Sequence, residues 1–258
     1  MSTSAGSITG SGAITGRNLE LNTNGGDVNL TATHALNFVN VGSGTVSGFR
    51  FVNGRDLGVG PIAAGAGGID ITVNGTLTQA SPITTSGTNA AISLKAGDIV
   101  LASGVNQVNA GTGTVNIGTF DGAGAMFIGE ASGSGLKLSN TELQAITAGT
   151  LNLGNSTQTG NITIKGAQFV AGGPYSGLTA GLTAVNILQN TAGSGAVSLN
   201  SFSTTQGDGL IGGSSFELAA IQLVNGPANA VSISTPAAAA SRYRARSPPP
   251  ATSTPTAW

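Results

Sequence analysis

A short pattern, one polar residue between two apolar residues, recurs along the chain at a nearly constant spacing. Such brief alternation is typical of a short β-strand with one buried face. Eight copies begin 21 to 26 residues apart, with a mean interval of about 22 residues. They are Val28-Asn29-Leu30, Phe49-Arg50-Phe51, Ile71-Thr72-Val73, Ile92-Ser93-Leu94, Val115-Asn116-Ile117, Leu136-Lys137-Leu138, Ile162-Thr163-Ile164 and Val185-Asn186-Ile187. A period of roughly 20 to 25 residues predicts a solenoid, in which each repeat stacks on the preceding one.

A second set of triplets lies between these copies, so each period contains at least two short strands. Members include Leu36-Asn37-Phe38, Leu151-Asn152-Leu153 and Val197-Ser198-Leu199. Glycine and asparagine separate the strands, because both residues tolerate the positive φ of tight corners. No unit contains the leucine-rich repeat pattern, and the many glycine and β-branched residues disfavour helical repeats. The sequence therefore predicts an all-β fold, a parallel β-helix.

The composition agrees with stacked coils. Only 7% of the 258 residues are charged, whereas 42 residues are glycine. Identical positions on successive coils lie about 4.8 Å apart, so a column of like charges would repel itself along its length. Asn, Thr and Ser can form hydrogen-bonded ladders instead, while Val, Ile, Leu and Phe stack inside. Residues 8–235 predict about ten coils and a rod on the order of 50 Å long.

One segment departs from the strand pattern and predicts a helix. Ser139 and Glu142 have the spacing of a capping box, with Ser139 as the N-cap. Leu143 and Ile146 share one helical face, and Gly149 is suited to end the helix. We expect a short helix over residues 140–147, inserted between coils and lying against the outside or plugging an opening.

The same region contains a longer phrase, Leu-Ser-x-x-Glu-Leu-x-x-Ile-Thr-Ala-Gly-Thr-Leu, followed by Gly-x-Ile-Thr-Ile. Its residues are Leu138, Ser139, Glu142, Leu143, Ile146, Thr147, Ala148, Gly149, Thr150, Leu151, Gly154, Gly160 and Ile162. The phrase resembles a recurring unit of the large Gram-negative exoproteins related to filamentous haemagglutinin. It lies within residues 136–166, and the remaining resemblance, to about residue 235, is one of composition.

This resemblance implies a right-handed β-helix in the stalk of a secreted or surface-attached adhesin, associated with the outer membrane through two-partner or autotransporter secretion. We divide the chain into β-helix repeats over 1–236 and a tail over 237–258. The Asn-Pro-Asn motifs of the family's secretion domain do not occur, and residues 1–6 do not resemble a signal peptide. We therefore expect an internal stalk portion that lacks its own export signal and reaches a membrane only through other regions of its parent.

The expected function is structural and adhesive, without catalysis, cofactor or metal. Host or matrix glycans or proteins are the expected partners, held by many weak polar contacts. Unpaired strands at both ends of the rod favour end-to-end self-association. Two alternatives remain open: a β-helix polysaccharide-degrading enzyme, such as a tail-spike-like depolymerase, and a non-functional fragment of a disrupted adhesin gene.

The enzyme alternative depends on carboxylates that converge on adjacent coils. Asp27 and Asp70 each lie near the start of a predicted strand and are 43 residues apart, or about two coils. That spacing corresponds to roughly 10 Å, the outer edge of the separation in inverting glycosidases. Neither residue has a second acid nearby in sequence, so we interpret both as isolated surface or corner residues.

Other single residues support ordinary structural interpretations. His34 has no Cys, carboxylate or second His nearby, and we expect a partly exposed corner residue. Residues Thr205–Gly213 only loosely resemble a calcium-binding repeat, which requires tandem copies. Residues Asn53–Asp56 could form an integrin-like recognition turn, but an ordinary polar corner is the preferred interpretation. The chain also contains four glycosylation sequons, which are expected by chance because it is rich in Asn and Thr. They begin at Asn29, Asn74, Asn155 and Asn161.

The C-terminal tail differs from the body in charge and composition. Residues 1–241 contain six basic and ten acidic side chains, whereas Arg242, Arg244 and Arg246 add three positive charges within five residues. The body therefore lacks the clustered basic residues that nucleic acids require. The tail is rich in Ala and Pro, and we expect it to be disordered. Its abrupt start also suggests out-of-frame translation at the end of a broken gene.

The absence of Cys excludes disulfides and thiolate sites.

Overall fold

Parallel strands stacked coil upon coil build the fold, as the periodic triplets predict. The computed structural model describes residues 1, 6–42, 44–129, 132–165, 167 and 184–188, and the backbone of 197–200, 221–224 and 231–234. In this part of the chain the elements are β1 (Ile8–Gly10), β2 (Asn18–Leu21), β3 (Val28–His34), β4 (Phe38–Val41), β5 (Val46–Asn53), β6 (Leu57–Val59), β7 (Ile62–Gln79), β8 (Ile83–Thr85), β9 (Ile92–Val100), β10 (Val108–Asn109), β11 (Thr114–Thr119), β12 (Met126–Gly129), β13 (Leu136–Leu138), α1 (Asn140–Gln144), β14 (Ile146–Thr147), β15 (Thr150–Gly154), β16 (Ile162–Lys165), β17 (Ala184–Leu188), β18 (Val197–Asn200), β19 (Ile221–Val224) and β20 (Val231–Ser234).

The longest ladder consists of parallel pairs in the spatial order β1-β3-β5-β7-β9-β11-β15-β17-β19. Its coils stack in register, so one inward column of side chains is wholly apolar. The members of this inner column from the second strand onward are Val28, Phe49, Ile69, Ile92, Val115, Leu151 and Val185. Each is at most 3% exposed. Removing these stacked side chains from water is the main stabilising contribution to the solenoid.

The observed register corrects the assignment of three triplets to one series. Ile71 pairs with Phe51 and Leu94, so Ile69 occupies the inner column instead. Leu136 and Ile162 both pair with Met126, in a separate sheet formed by β12, β13, β16, β18 and β20. The series read from the sequence therefore combines strands from two sides of the solenoid.

Shorter ladders form the other sides of the coil. One consists of β2, β4, β6 and the end of β7. Another consists of the start of β7, followed by β8, β10 and β14. Together the stacked coils form a β-solenoid. Its longest ladder contains nine strands in the described part of the chain, one per coil, where a uniform 22-residue period predicts about ten coils. The handedness implied by the resemblance stays a prediction.

The number of residues per coil changes at Val115. Stacked positions are 20 to 23 residues apart from Ile8 to Val115, and 34 to 36 residues apart from Val115 to Ile221. We call residues 8–114 the short-period coils and residues 115–188 the long-period coils. Because the later coils consume more chain, a uniform period overestimates the number of turns.

The predicted helix is present but shorter than expected. Its capping box is confirmed: the Ser139 side chain accepts the Glu142 backbone N–H, and the Glu142 carboxylate accepts the Ser139 backbone N–H at 2.8 Å. The helix ends at Gln144, and Ile146 already belongs to β14. Leu143 is fully buried, so the helix packs into the core rather than against the outside.

An inserted strand accompanies this helix. β13 follows β12 in sequence and pairs with it, but its other side contacts β9, so it lies between the two. The Lys137 backbone N–H donates to Asp98 Oδ1 at 2.8 Å, and the Lys137 ammonium lies 2.9 Å from Asp98 Oδ2. After β12 the chain therefore turns back toward the preceding coil to form β13, and α1 then connects β13 to the next coil. This return explains part of the first 36-residue interval.

Candidate functional site

A column of polar side chains lies on the outer face of the longest ladder. Successive members are in register and exposed or half-buried: Thr9, Asn29, Arg50, Asp70, Ser93, Asn116, Asn152 and Asn186. Each follows an inner-column residue directly, so strand alternation turns it outward. We call this set the polar column.

Hydrogen bonds connect the last four members from coil to coil. Asn116 Nδ2 donates to Ser93 Oγ at 3.0 Å, and Asn152 Nδ2 donates to Asn116 Oδ1 at 2.7 Å. Asn186 Nδ2 donates to Asn152 Oδ1 at 2.8 Å. The predicted ladder of uncharged polar side chains is therefore confirmed for these coils. An amide carries two donors and an acceptor with two lone pairs, so each member keeps hydrogen-bonding capacity beyond the ladder.

Asp27 and Asp70 do not occupy the same column. Asp70 is aligned with Arg50 on one side and Ser93 on the other, and its Oδ1 lies 3.7 Å from the Lys95 ammonium. Asp27 comes one residue before Val28 and lies beside Gly48 at the corner of the coil. The structure thus places a cation beside Asp70 and does not bring these two carboxylates together as a pair.

His34 is fully buried, which corrects the expectation of a partly exposed corner residue. Its Nδ1 accepts the Ile14 backbone N–H at 2.9 Å, so the neutral ring carries its proton on Nε2, 3.2 Å from the Leu30 carbonyl. The ring packs against Phe51, with centroids 5.0 Å apart. Burial lowers the pKa of His34, and the hydrogen bond to the Leu30 carbonyl opposes that effect. These contacts fix the imidazole as part of the core.

The corner Asn53–Asp56 joins neighbouring coils. The Asn53 amide is fully buried, accepts the Leu36 N–H at 2.9 Å and donates to the Leu36 carbonyl at 3.0 Å. The Arg55 guanidinium donates to the carbonyls of Gly16 and Ala35, each at 2.9 Å. Asp56 Oδ1 accepts the Thr76 N–H at 2.7 Å on the next coil. These side chains bind backbone on adjacent coils, as a structural corner does.

Asn53 belongs to a pattern of buried amides that the sequence reasoning missed. Gln79 accepts the Ala102 N–H and donates to the carbonyl of Ser81, while Gln158 accepts the Thr119 hydroxyl and donates to the carbonyls of Gly124 and Gly160. All three amides donate to the carbonyl two residues later and also bond to another coil. Asn53 and Gln79 end β5 and β7, so a lone Asn or Gln at the end of a strand was the available signal for these two, whereas Gln158 lies in the corner after β15.

The remaining candidate positions do not assemble into a site. Asn29, Asn74 and Asn161 are exposed, and Asn155 is half-buried. The calcium-like segment Thr205–Gly213 and the tail lie outside the described residues. Among the described residues, no group of three or more His, Asp or Glu could hold a metal ion.

A groove of about 390 Å³ crosses the outer face where the short-period coils meet the long-period coils. We call it the corner groove; its lining includes Thr72, Lys95, Phe120, Asp121, Asn155 and Thr157. Ala96 and Thr119 are in register, but two residues join Ala96 to Ile99 while six join Thr119 to Met126. Thr72 and Lys95 on the short-period strands therefore line the groove together with residues of the longer corners that follow β11 and β15.

Hydrogen bonds hold the walls of the corner groove in place. Asp121 Oδ1 accepts the N–H groups of Ala123 and Gly124, at 2.8 and 3.3 Å. Asn155 Oδ1 accepts the Thr157 N–H at 2.8 Å. Gln158 lies beneath and joins the two lengthened corners through Thr119 and Gly124. The groove is therefore built by fixed turns rather than by loose side chains.

Comparisons with protein-family models, curated proteins and solved structures found no match to this chain. Within the described residues, no helix is long and apolar enough to cross a membrane.

Proposed function

We propose that this chain is a structural and adhesive stalk segment of a bacterial exoprotein similar to filamentous haemagglutinin, and that it acts without catalysis at the cell surface. In this role the stacked coils supply length and rigidity. The outer face supplies many equivalent contacts to glycans or matrix proteins.

The polar column is the observation that carries this proposal. Hydrogen-bonding side chains recur in register on successive coils, from Thr9 to Asn186. A repeating partner can engage several of them at once, and linked weak contacts multiply into useful avidity. The inner column makes the surface rigid, so little conformational entropy is lost on binding.

The described carboxylates give the enzyme alternative less support. Clustered acids on adjacent coils would favour it, but Asp70 lies between Arg50 and Ser93 and beside Lys95. Asp27 occupies a different column. A stalk segment needs no such cluster.

Surface display tests the proposal. The full chain would be fused to an outer-membrane carrier in a non-adherent bacterium, and binding to immobilised glycans and matrix proteins would be compared with cells that display the carrier alone. We expect cells that display the chain to adhere, and adhesion to weaken when Asn116 and Asn152 are both replaced by Ala.

Two results would overturn the proposal. One is equal adhesion by carrier and chain despite surface labelling that shows equal display. The other is release of reducing ends from the glycans, which would favour the enzyme alternative.

A further inference from the structure

We propose that the corner groove binds a neutral sugar ring of a polysaccharide. This inference rests on the proposed adhesive function and assigns a specific ligand class to one place on the stalk.

Gly118 lies beneath Asn155, a lining residue of the corner groove, and is in register with Lys95. Asn155 Nδ2 lies 2.8 Å from the position that a Cβ of residue 118 would occupy. Any other residue would push against this amide and fill the space. The lack of a side chain at residue 118 therefore lets the Asn155 amide lie close against the strand.

Two polar side chains are oriented by their own turns. Asn155 Oδ1 accepts the Thr157 N–H, and no hydrogen bond within the described residues uses its Nδ2, which can therefore donate to a ligand in the groove that Asn155 lines. Asp121 uses Oδ1 for its turn, which leaves Oδ2 as an acceptor at the rim. A fixed donor beside a fixed acceptor matches the hydroxyl groups of a sugar, each of which both donates and accepts.

Phe120 provides the apolar part of the corner groove. Its ring is half-buried and lines the groove beside Asp121. An aromatic face packs against the C–H face of a pyranose while polar groups at the edge bind the hydroxyls. An apolar contact surrounded by a small number of polar groups is typical of small-molecule binding sites.

The local charge favours a neutral ligand. Lys95 is the lining cation, and Asp70 already lies 3.7 Å from its ammonium. Asp121 adds a second carboxylate, so an acidic sugar would meet no excess of positive charge. The groove extends over four successive coils, from Thr72 to Asn155, a length of about 14 Å at the inter-strand spacing. This length suits a chain of sugar rings rather than a small metabolite.

Affinity electrophoresis of the purified full chain tests the proposal. Dextran, mannan and galactan serve as neutral probes in the gel, and polygalacturonate and heparin as acidic ones. We expect at least one neutral polysaccharide to retard the chain more than either acidic one. Phe120→Ala and Asn155→Ala should each weaken that binding by about tenfold.

Matched controls separate the groove from the rest of the surface. Phe38→Ala removes another half-buried ring on a short-period coil, and Asn40→Ala removes another half-buried amide; both should leave retardation unchanged. Circular dichroism would verify that each variant is folded. Gly118→Val displaces the Asn155 amide without removing a polar group and should also weaken binding.

The groove proposal is wrong if no neutral polysaccharide binds, if an acidic one binds more tightly, or if Phe120→Ala and Phe38→Ala behave alike. If cells that display the Phe120→Ala variant adhere as well as cells that display the unchanged chain, the proposed stalk function stands and only the groove proposal is refuted. Failure of adhesion by the unchanged chain would instead contradict the proposed function.

Discussion

The short-period and long-period coils keep the same wall but differ in their corners. Both regions share the apolar inner column and the polar column. The hydrogen-bonded polar side chains continue from the Ser93 hydroxyl on a short coil to the Asn186 amide on a long one. In the first long coil, the additional described residues lie in the corner between β11 and β12 and in the segment containing β13 and α1. The stacked wall therefore carries the fold, whereas the corners can lengthen and acquire a groove.

If the wall is common to both regions, its inner column should be equally necessary in each. Phe49→Ala in a short coil should lower the free energy of unfolding by about 3–5 kcal/mol, and Leu151→Ala in a long coil by about 2–5 kcal/mol. Both side chains are fully buried, so each substitution leaves a cavity. Urea denaturation followed by circular dichroism measures both values.

The half-buried Phe38 provides the matched control, since its replacement by Ala should cost clearly less than that of Phe49. A small loss for Leu151→Ala would break the comparison. It would mean that the long-period coils do not depend on the inner column.

The corners should differ in location but not in the way they are held. Asn53→Ala leaves the buried Leu36 backbone without its amide partner, and Gln158→Ala does the same to the Thr119 hydroxyl and the Gly124 carbonyl. Each buried group left unpaired costs about 1–3 kcal/mol. Thermal unfolding would compare both variants with Asn74→Ala, which alters an exposed amide and should be nearly neutral.

If Gln158→Ala left the thermal stability unchanged while Asn53→Ala lowered it, the two kinds of corner would differ in how they are held. The amide would then be necessary at tight corners, while the lengthened corners would be held by their backbone hydrogen bonds, such as that from Thr159 N–H to the Gly122 carbonyl.

Much of the wall could be predicted from the sequence, because alternation and polar middle positions are local signals. The capping box of Ser139 and Glu142 was predictable for the same reason. The register between coils could not be predicted, because Ile69-Asp70-Ile71 and Ile71-Thr72-Val73 both fit the triplet pattern. A shift by two residues keeps the same face of the strand inward, so alternation does not distinguish them. Likewise, only long-range pairing decides that Leu151 rather than Leu136 continues the inner column.

The corner groove had no local signal, whereas the burial of His34 had one. The groove depends on a difference in length between two corners that are adjacent in space but not in sequence. His34 has the same parity as Val28 and Leu30, so strand alternation continued through the seven residues of β3 turns it inward. The expectation of an exposed corner failed because the predicted strand extended only as far as Leu30.

The last prediction concerns a single proton on a short-period coil and has the smallest expected effect. Because burial lowers the folded-state pKa of His34 below its usual value of 6.5, the native state favours the neutral ring. This contribution is fully present above pH 6.5 and is lost as the pH falls from 6.5 through the lowered folded-state pKa. Protonation would also place an N–H of Nδ1 against the Ile14 N–H that it now accepts.

We therefore expect the chain to be less stable at pH 5 than at pH 7.5. His34→Gln, whose amide can accept and donate in the same place, should show a flatter profile in urea denaturation across this interval. Identical slopes for both proteins would show that His34 does not couple the short-period coils to pH.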